Sequence, residues 1–130
     1  RRTGKQAEKI LQQYLNFECI VDVVWWAEQP RAVLHQFLAV STRAFCSADS
    51  MSMLMESVSA MRPVVAYLPE HWQPDEQFGN VLKRLEADHL IHISPIAQLS
   101  QIKDSEDKMK SLKYEPSEQL AKLLKERLFP

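Results

Sequence analysis

One stretch of the chain has residue types and spacing suited to holding a phosphorylated ligand. In Ser47-Ala48-Asp49-Ser50-Met51-Ser52-Met53-Leu54-Met55-Glu56 a short apolar segment gives way to the start of a helix. A helix start offers unpaired N–H groups and the positive end of the helix dipole, which together hold an anion. The hydroxyls of Ser50 and Ser52 add donors, and Asp49 or Ser50 supplies the cap. Ser52, Glu56 and Ser59 recur at i, i+4 and i+7, so they share one face. A glutamate one turn inside can accept from two ribose hydroxyls. The competing reading makes Asp49 or Ser50 a simple cap and Glu56 part of a solvated face.

Other groups with chemical potential are scattered. His35, His71, His89 and His92 have no carboxylate or cysteine at metal-ligand spacing, so no metal site is expected. His71 and Trp72 lie in a turn-rich segment, and Trp26 ends an apolar run. Each is a candidate for the rim of a ligand site, with core packing the alternative for the indoles. No Ser-His-Asp or Cys-His set forms among sequence neighbours. With glycine only at positions 4 and 79, dinucleotide-binding and Walker fingerprints are absent, which disfavours NAD and ATP hydrolysis and leaves no cofactor expected.

The elements that must position these residues follow from periodicity. A helix is predicted over Thr3–Asn16, capped by Thr3, with a stripe of Ala7, Ile10, Leu11, Tyr14 and Leu15. Cys19–Trp26 is β-branched and aromatic, which predicts a strand covered on both faces. Pro30 opens a second helix with Val33, Leu34, Phe37 and Leu38 inward, ending near Ser41, and Ala44-Phe45-Cys46 reads as a buried strand. A third helix then buries Met51, Leu54, Met55 and Val58 before Pro63, and Val64–Leu68 is the clearest strand. A fourth helix carries Phe78, Val81, Leu82 and Leu85, and Leu90–Ile93 follows as a strand. Gln101–Glu115 reads as a charged connector, and Pro116 starts a last helix with Leu120, Leu123, Leu124 and Leu128 on one face.

This alternation predicts an α/β fold: an open, mostly parallel sheet with helices on both faces. One domain is expected over residues 1–130, with a βα core to residue 99, a connector over 100–115 and a terminal helix over 116–130. Ligands of such sheets bind outside the carboxyl ends of the strands. Sixteen basic and 17 acidic residues, intermixed, leave no basic field for nucleic acid. No run is long and apolar enough to span a membrane, and Cys19 and Cys46, each in an apolar stretch, read as free, buried thiols of a cytoplasmic protein.

The segment Ala48–Glu56, followed seven residues after Glu56 by Pro63-Val64-Val65, resembles the central signature of the mitochondrial-fission "elongated mitochondria" family and its uncharacterised bacterial branch. Arg1-Arg2-Thr3 resembles that family's other marked segment, which follows a strand and a serine, and Phe78 with Leu82 matches its later helix. The likeness covers most of residues 1–93. It is similar also to the sugar-nucleotide lobe of GT-B glycosyltransferases, including the enzyme that adds N-acetylglucosamine to lipid I. The resemblance implies the Rossmann-like C-terminal lobe of a GT-B fold, entered just after a first strand that the sequence does not contain. It implies a nucleotide-sugar diphosphate bound between Arg1-Arg2-Thr3 and the helix start at Asp49, Ser50 and Ser52, with Glu56 on the ribose. If the protein is an enzyme, the resemblance implies a metal-independent glycosyltransferase. The eukaryotic members resemble adaptors for dynamin-related proteins, so a non-catalytic protein-binding role is the alternative. The chain departs from the family at Met61, where glycine is usual, and at Gln29-Pro30-Arg31, where Asn-Pro-Tyr is usual. A sheet left without its first strand would carry an open edge, which predicts a homodimer.

Overall fold

The computed structural model describes residues 4–15 and 17–102, together with helical residues 118, 121, 122, 125 and 126. Thr3, the connector from residue 103 and the leucines of the last helix lie outside the described residues. The chain divides into two compact units, Arg1–Leu34 and His35–Pro130.

In the first unit, α1 spans Lys5–Tyr14 with Gly4 at its cap and no side-chain cap bond. Its predicted inward stripe is largely outside: Ile10 is 51% exposed, Leu11 47% and Tyr14 82%. The buried residue is instead Glu8, whose carboxylate accepts the Ala27 N–H at 3.1 and 3.3 Å, tying the helix to the Trp25–Gln29 turn. The predicted strand at Cys19–Trp26 does not form. Phe17–Cys19 is a 3-10 turn, and Val21 is fully exposed. β-Propensity describes fit to a pleated, half-buried surface, and among the described residues no strand pairs with this segment. Arg31 clamps the extended stretch, donating to Asp22 Oδ1 at 2.6 Å and to the Val23 carbonyl at 3.0 Å. That hydrogen bond and its charge hold the Asp22 carboxyl below its ordinary pKa and raise that of Arg31.

The second unit contains the sheet. Helix α2 (Leu34–Val40) starts four residues after Pro30, and β1 (Ala44–Ser47), α3 (Met51–Ser59), β2 (Val64–Leu68), α4 (Glu76–Ala87) and β3 (Ile91–Pro95) follow in alternation. The three strands pair in the order β1-β2-β3, both pairs parallel, giving the predicted open α/β sheet. Cys46, Val64, Ala66 and Ile91 pack with Leu54 and Val58 of α3 and Leu82 and Leu85 of α4 in one core. Residues facing oppositely along the strands form the other row, Phe45, Val65 and His92 in register. Val65 is buried, but Phe45 is 52% exposed, so β1 is not the wholly buried strand its composition suggests. On α3 the buried face is Leu54, Ser57 and Val58, whereas Met55 and Cys19, both expected inside, are exposed, as is Val81 on α4. A serine displaces methionine because Cys46 Sγ lies 3.3 Å from Ser57 Oγ, satisfying a small hydroxyl in the tight α3–β1 contact.

Both helices of the core end alike. Met61 (φ 57°) and His89 (φ 60°) adopt the left-handed conformation just past α3 and α4. Their N–H groups donate to Val58 and Glu86, and the next residues, Arg62 and Leu90, donate to Ser57 and Leu85. This is the paired 5→2 and 6→1 bonding of a Schellman end. Arg62 also donates from Nε to the Leu38 carbonyl (2.8 Å) and from an Nη to that of Ala39 (3.0 Å), satisfying acceptors at the end of α2.

Candidate functional site

Parallel pairing brings the carboxyl ends of the three strands to one edge, with Ser47 opposite Tyr67 and Tyr67 opposite Ser94. The connections leaving that edge are residues 48–50, between β1 and α3, and 69–75, between β2 and α4. The candidates of the first connection and those around His71 therefore open from adjacent strands, about 4.8 Å apart at the ladder.

The β1–α3 connection is a tight turn. The Ser50 N–H donates to the Ser47 carbonyl at 3.1 Å, and Ser47 Oγ donates to Asp49 Oδ1 at 2.5 Å. Ser47 opens the stretch singled out in the sequence but carries no role there; in the fold its hydroxyl orients the Asp49 carboxylate. Ser50 is the cap residue of α3 by position, yet its side chain makes no cap hydrogen bond. The expected capping role of its hydroxyl is thus corrected: its backbone at φ −114°, ψ 83° lies off the usual capping conformation, so the cap side chain does not take up the first-turn N–H groups. Ser52 and Glu56 are both exposed on the helix face away from Leu54 and Val58, and Ser59 on the same face is half-buried.

In the β2–α4 connection, the half-buried Trp72 packs against the core. Its ring meets Phe78 edge-on at 5.2 Å and 76°. Its role is to seat the start of α4, where Asp75 Oδ1 accepts the Phe78 N–H at 2.8 Å. His71, beside it, is exposed. Trp26 belongs to the first unit and is 43% exposed. Arg1, Arg2 and Thr3 lie outside the described residues, so the geometry concerns the α3 half of the expected phosphate site. Among the described residues no three His, Cys, Asp or Glu side chains are grouped to hold a metal ion, and no helix is long and apolar enough to cross a membrane.

Beneath the turn lies Cys46, buried at the end of β1. Burial raises its thiol pKa above the ordinary value, and the Ser57 hydroxyl only partly offsets this. That direction disfavours the thiolate, the form that acts as a nucleophile, and suits the thiol to packing.

No curated protein and no solved structure matches the chain. A family model does, however, over residues 1–128, nearly the whole sequence and including both the α3 turn and the opening Arg-Arg-Thr segment. Joined to the open parallel sheet, that match shows that the chain belongs to the family described as mitochondrial fission ELM1, which is glycosyltransferase-like in fold.

Proposed function

We propose that this protein binds the diphosphate of a nucleotide sugar at the amino end of α3 and acts as the donor lobe of a metal-independent glycosyltransferase. The observation that carries the reading is the α3 start: a helix end at the carboxyl edge of a parallel sheet, whose cap residue Ser50 makes no side-chain cap hydrogen bond, with Ser52 beside it. Exposed Glu56, one turn on from Ser52, is the acceptor for ribose hydroxyls. Arg1 and Arg2 are the cationic candidates in the sequence for the same diphosphate, because guanidinium forks match phosphate oxygens. In transfer the oxygen of an acceptor hydroxyl bonds to the anomeric carbon as the bond from that carbon to the diphosphate oxygen breaks; the diphosphate leaves with the electron pair, and the hydroxyl proton passes to solvent. Fixed N–H dipoles and guanidinium groups stabilise that charge without a metal. Two free thiols accord with a reducing, cytoplasmic setting.

Calorimetry with UDP-, GDP- and CMP-sugars tests the reading. One donor class should bind, and Glu56→Ala should weaken it by about 10-fold, the loss of one or two hydrogen bonds to a charged group. No heat with any donor refutes it. An adaptor role is the second reading, favoured by the outward apolar stripe Ile10, Leu11 and Tyr14 on α1. It predicts a protein partner whose capture survives Glu56→Ala but is lost with Tyr14→Asp.

A further inference from the structure

Helix α4 carries a residue in its last turn that the helix itself does not favour. Glu86 lies where the helix dipole is negative, so a carboxylate there is repelled. Its side chain finds a donor elsewhere: Oε1 accepts the Ile93 N–H of β3 at 3.1 Å. The ladder fixes which way that N–H points. The Pro63 and Tyr67 carbonyls accept from Ala44 and Ala48 on the β1 side, so Val64, Ala66 and Leu68 turn their backbone groups to β3. With Val64 opposite Ile91 and Ala66 opposite Ile93, His92 and Ser94 bond to β2, and Ile91, Ile93 and Pro95 face away from it. Of those three outward positions, Pro95 has no N–H and Ile93 has given its own to Glu86. Two successive rungs that another strand would need are closed by groups of this chain. The Schellman end supplies the geometry, since the His89 N–H donates to the Glu86 carbonyl and turns the chain directly into β3.

We propose that Glu86 is an edge guard: its carboxylate, together with Pro95, stops β3 of a second copy from pairing with β3. Unpaired N–H groups along a strand are a template for association, and charge and proline blunt such a template. Glu86 acts by taking up the donor that an incoming strand would use, not by repulsion alone. A strand that pairs at Ile93 must break a charge-assisted hydrogen bond and press a carboxylate into the new contact without a partner, which costs more than one ladder bond returns. Placing a carboxylate at the unfavourable end of α4 breaks a local rule, and closure of the edge is the compensating gain.

Amide hydrogen exchange of the full chain, read by NMR at low and at high protein concentration and paired with sedimentation velocity, tests this. In dilute solution E86A should speed exchange of the Ile93 amide about 10-fold, the loss of one hydrogen bond to a charged acceptor. The rate is taken relative to the Ala66 amide inside the sheet, which corrects for any change in global stability. E86Q, whose amide oxygen has the same reach, should keep most of the protection. As concentration rises, E86A should associate and its Ile93 amide should slow again, while E86Q and the unsubstituted chain associate no further. Three results overturn the proposal. An Ile93 amide as slow in dilute E86A as in the unsubstituted chain means that another group covers the edge. Equal acceleration in E86Q and E86A means that charge and not the hydrogen bond protects it. An E86A chain no more associated than the unsubstituted one at any concentration means that the bond is a strut and not a guard.

Discussion

Replacing Met61 by glycine should stabilise the protein, and the size of the effect can be worked from the end of α3. Met61 sits at φ 57° as the residue past the helix, where an L side chain crowds the following carbonyl. That crowding costs roughly 1–2 kcal/mol, and glycine removes it. Glycine also gives the unfolded chain more freedom, which returns about 0.4–1 kcal/mol. The methionine side chain is 39% exposed and is not among the residues packed on the core, so little apolar contact is lost. The balance is a gain of about 0.5–1 kcal/mol, or about 2–5 °C in Tm for a chain of this size. Met61→Ala is the control: it removes the same side chain but keeps the crowding, and should be less stable than Met61→Gly by about 1 kcal/mol. Urea unfolding followed by far-ultraviolet circular dichroism measures both. If the alanine variant equals or exceeds the glycine variant, the left-handed end is not where the strain lies. The same reasoning makes Met61 a backbone departure from the family's usual glycine, since the turn is built despite the substitution.

Three further outcomes follow from particular contacts. Arg62→Met keeps the stem but removes both hydrogen bonds to the α2 carbonyls, and should cost about 1–2 kcal/mol, measured by the same urea unfolding. Exposed Cys19 should react with a thiol reagent in the native protein, and Cys46 only on unfolding; because the folded state raises the Cys46 pKa, its contribution is intact below the ordinary thiol range and fades as pH rises through the folded value, as alkaline melting curves will register. The Asp22–Arg31 pair acts in the opposite direction: with the Asp22 pKa lowered, its contribution is present above the ordinary carboxyl range and is lost as pH falls through the folded value, a dependence that Asp22→Asn should remove.

Val64–Leu68 was fully legible because its apolar run is short, bounded by Pro63 and Pro69, and buried between two neighbours. The α3 start was legible in position, since Ser50 ends a turn and an apolar period begins. Its chemistry was not, because whether a serine side chain caps depends on a backbone angle that composition does not encode. Met55 and Ser57 exchanged expected places because hydropathy ranks methionine inward and cannot anticipate that Cys46 supplies a partner for a hydroxyl. Cys19–Trp26 misled for a different reason. Local preference for a strand is expressed only beside another strand, and no periodicity reports which neighbour is present.

The matched Schellman ends of α3 and α4 bear on how such a protein can diverge. Residues 60–63 and 88–90, which return each helix to its strand, are bound by the same pair of main-chain hydrogen bonds. The opposite connections differ: residues 48–50 make a three-residue turn, whereas 69–75 form a seven-residue loop whose Trp72 packs on Phe78 of α4. One rim of the sheet is therefore a fixed hinge line that sets strand phase, and the other is a place where length and side chains vary without moving the frame. Substitutions that retune recognition should accumulate on the second rim, and a change of specificity need not be accompanied by a change of fold.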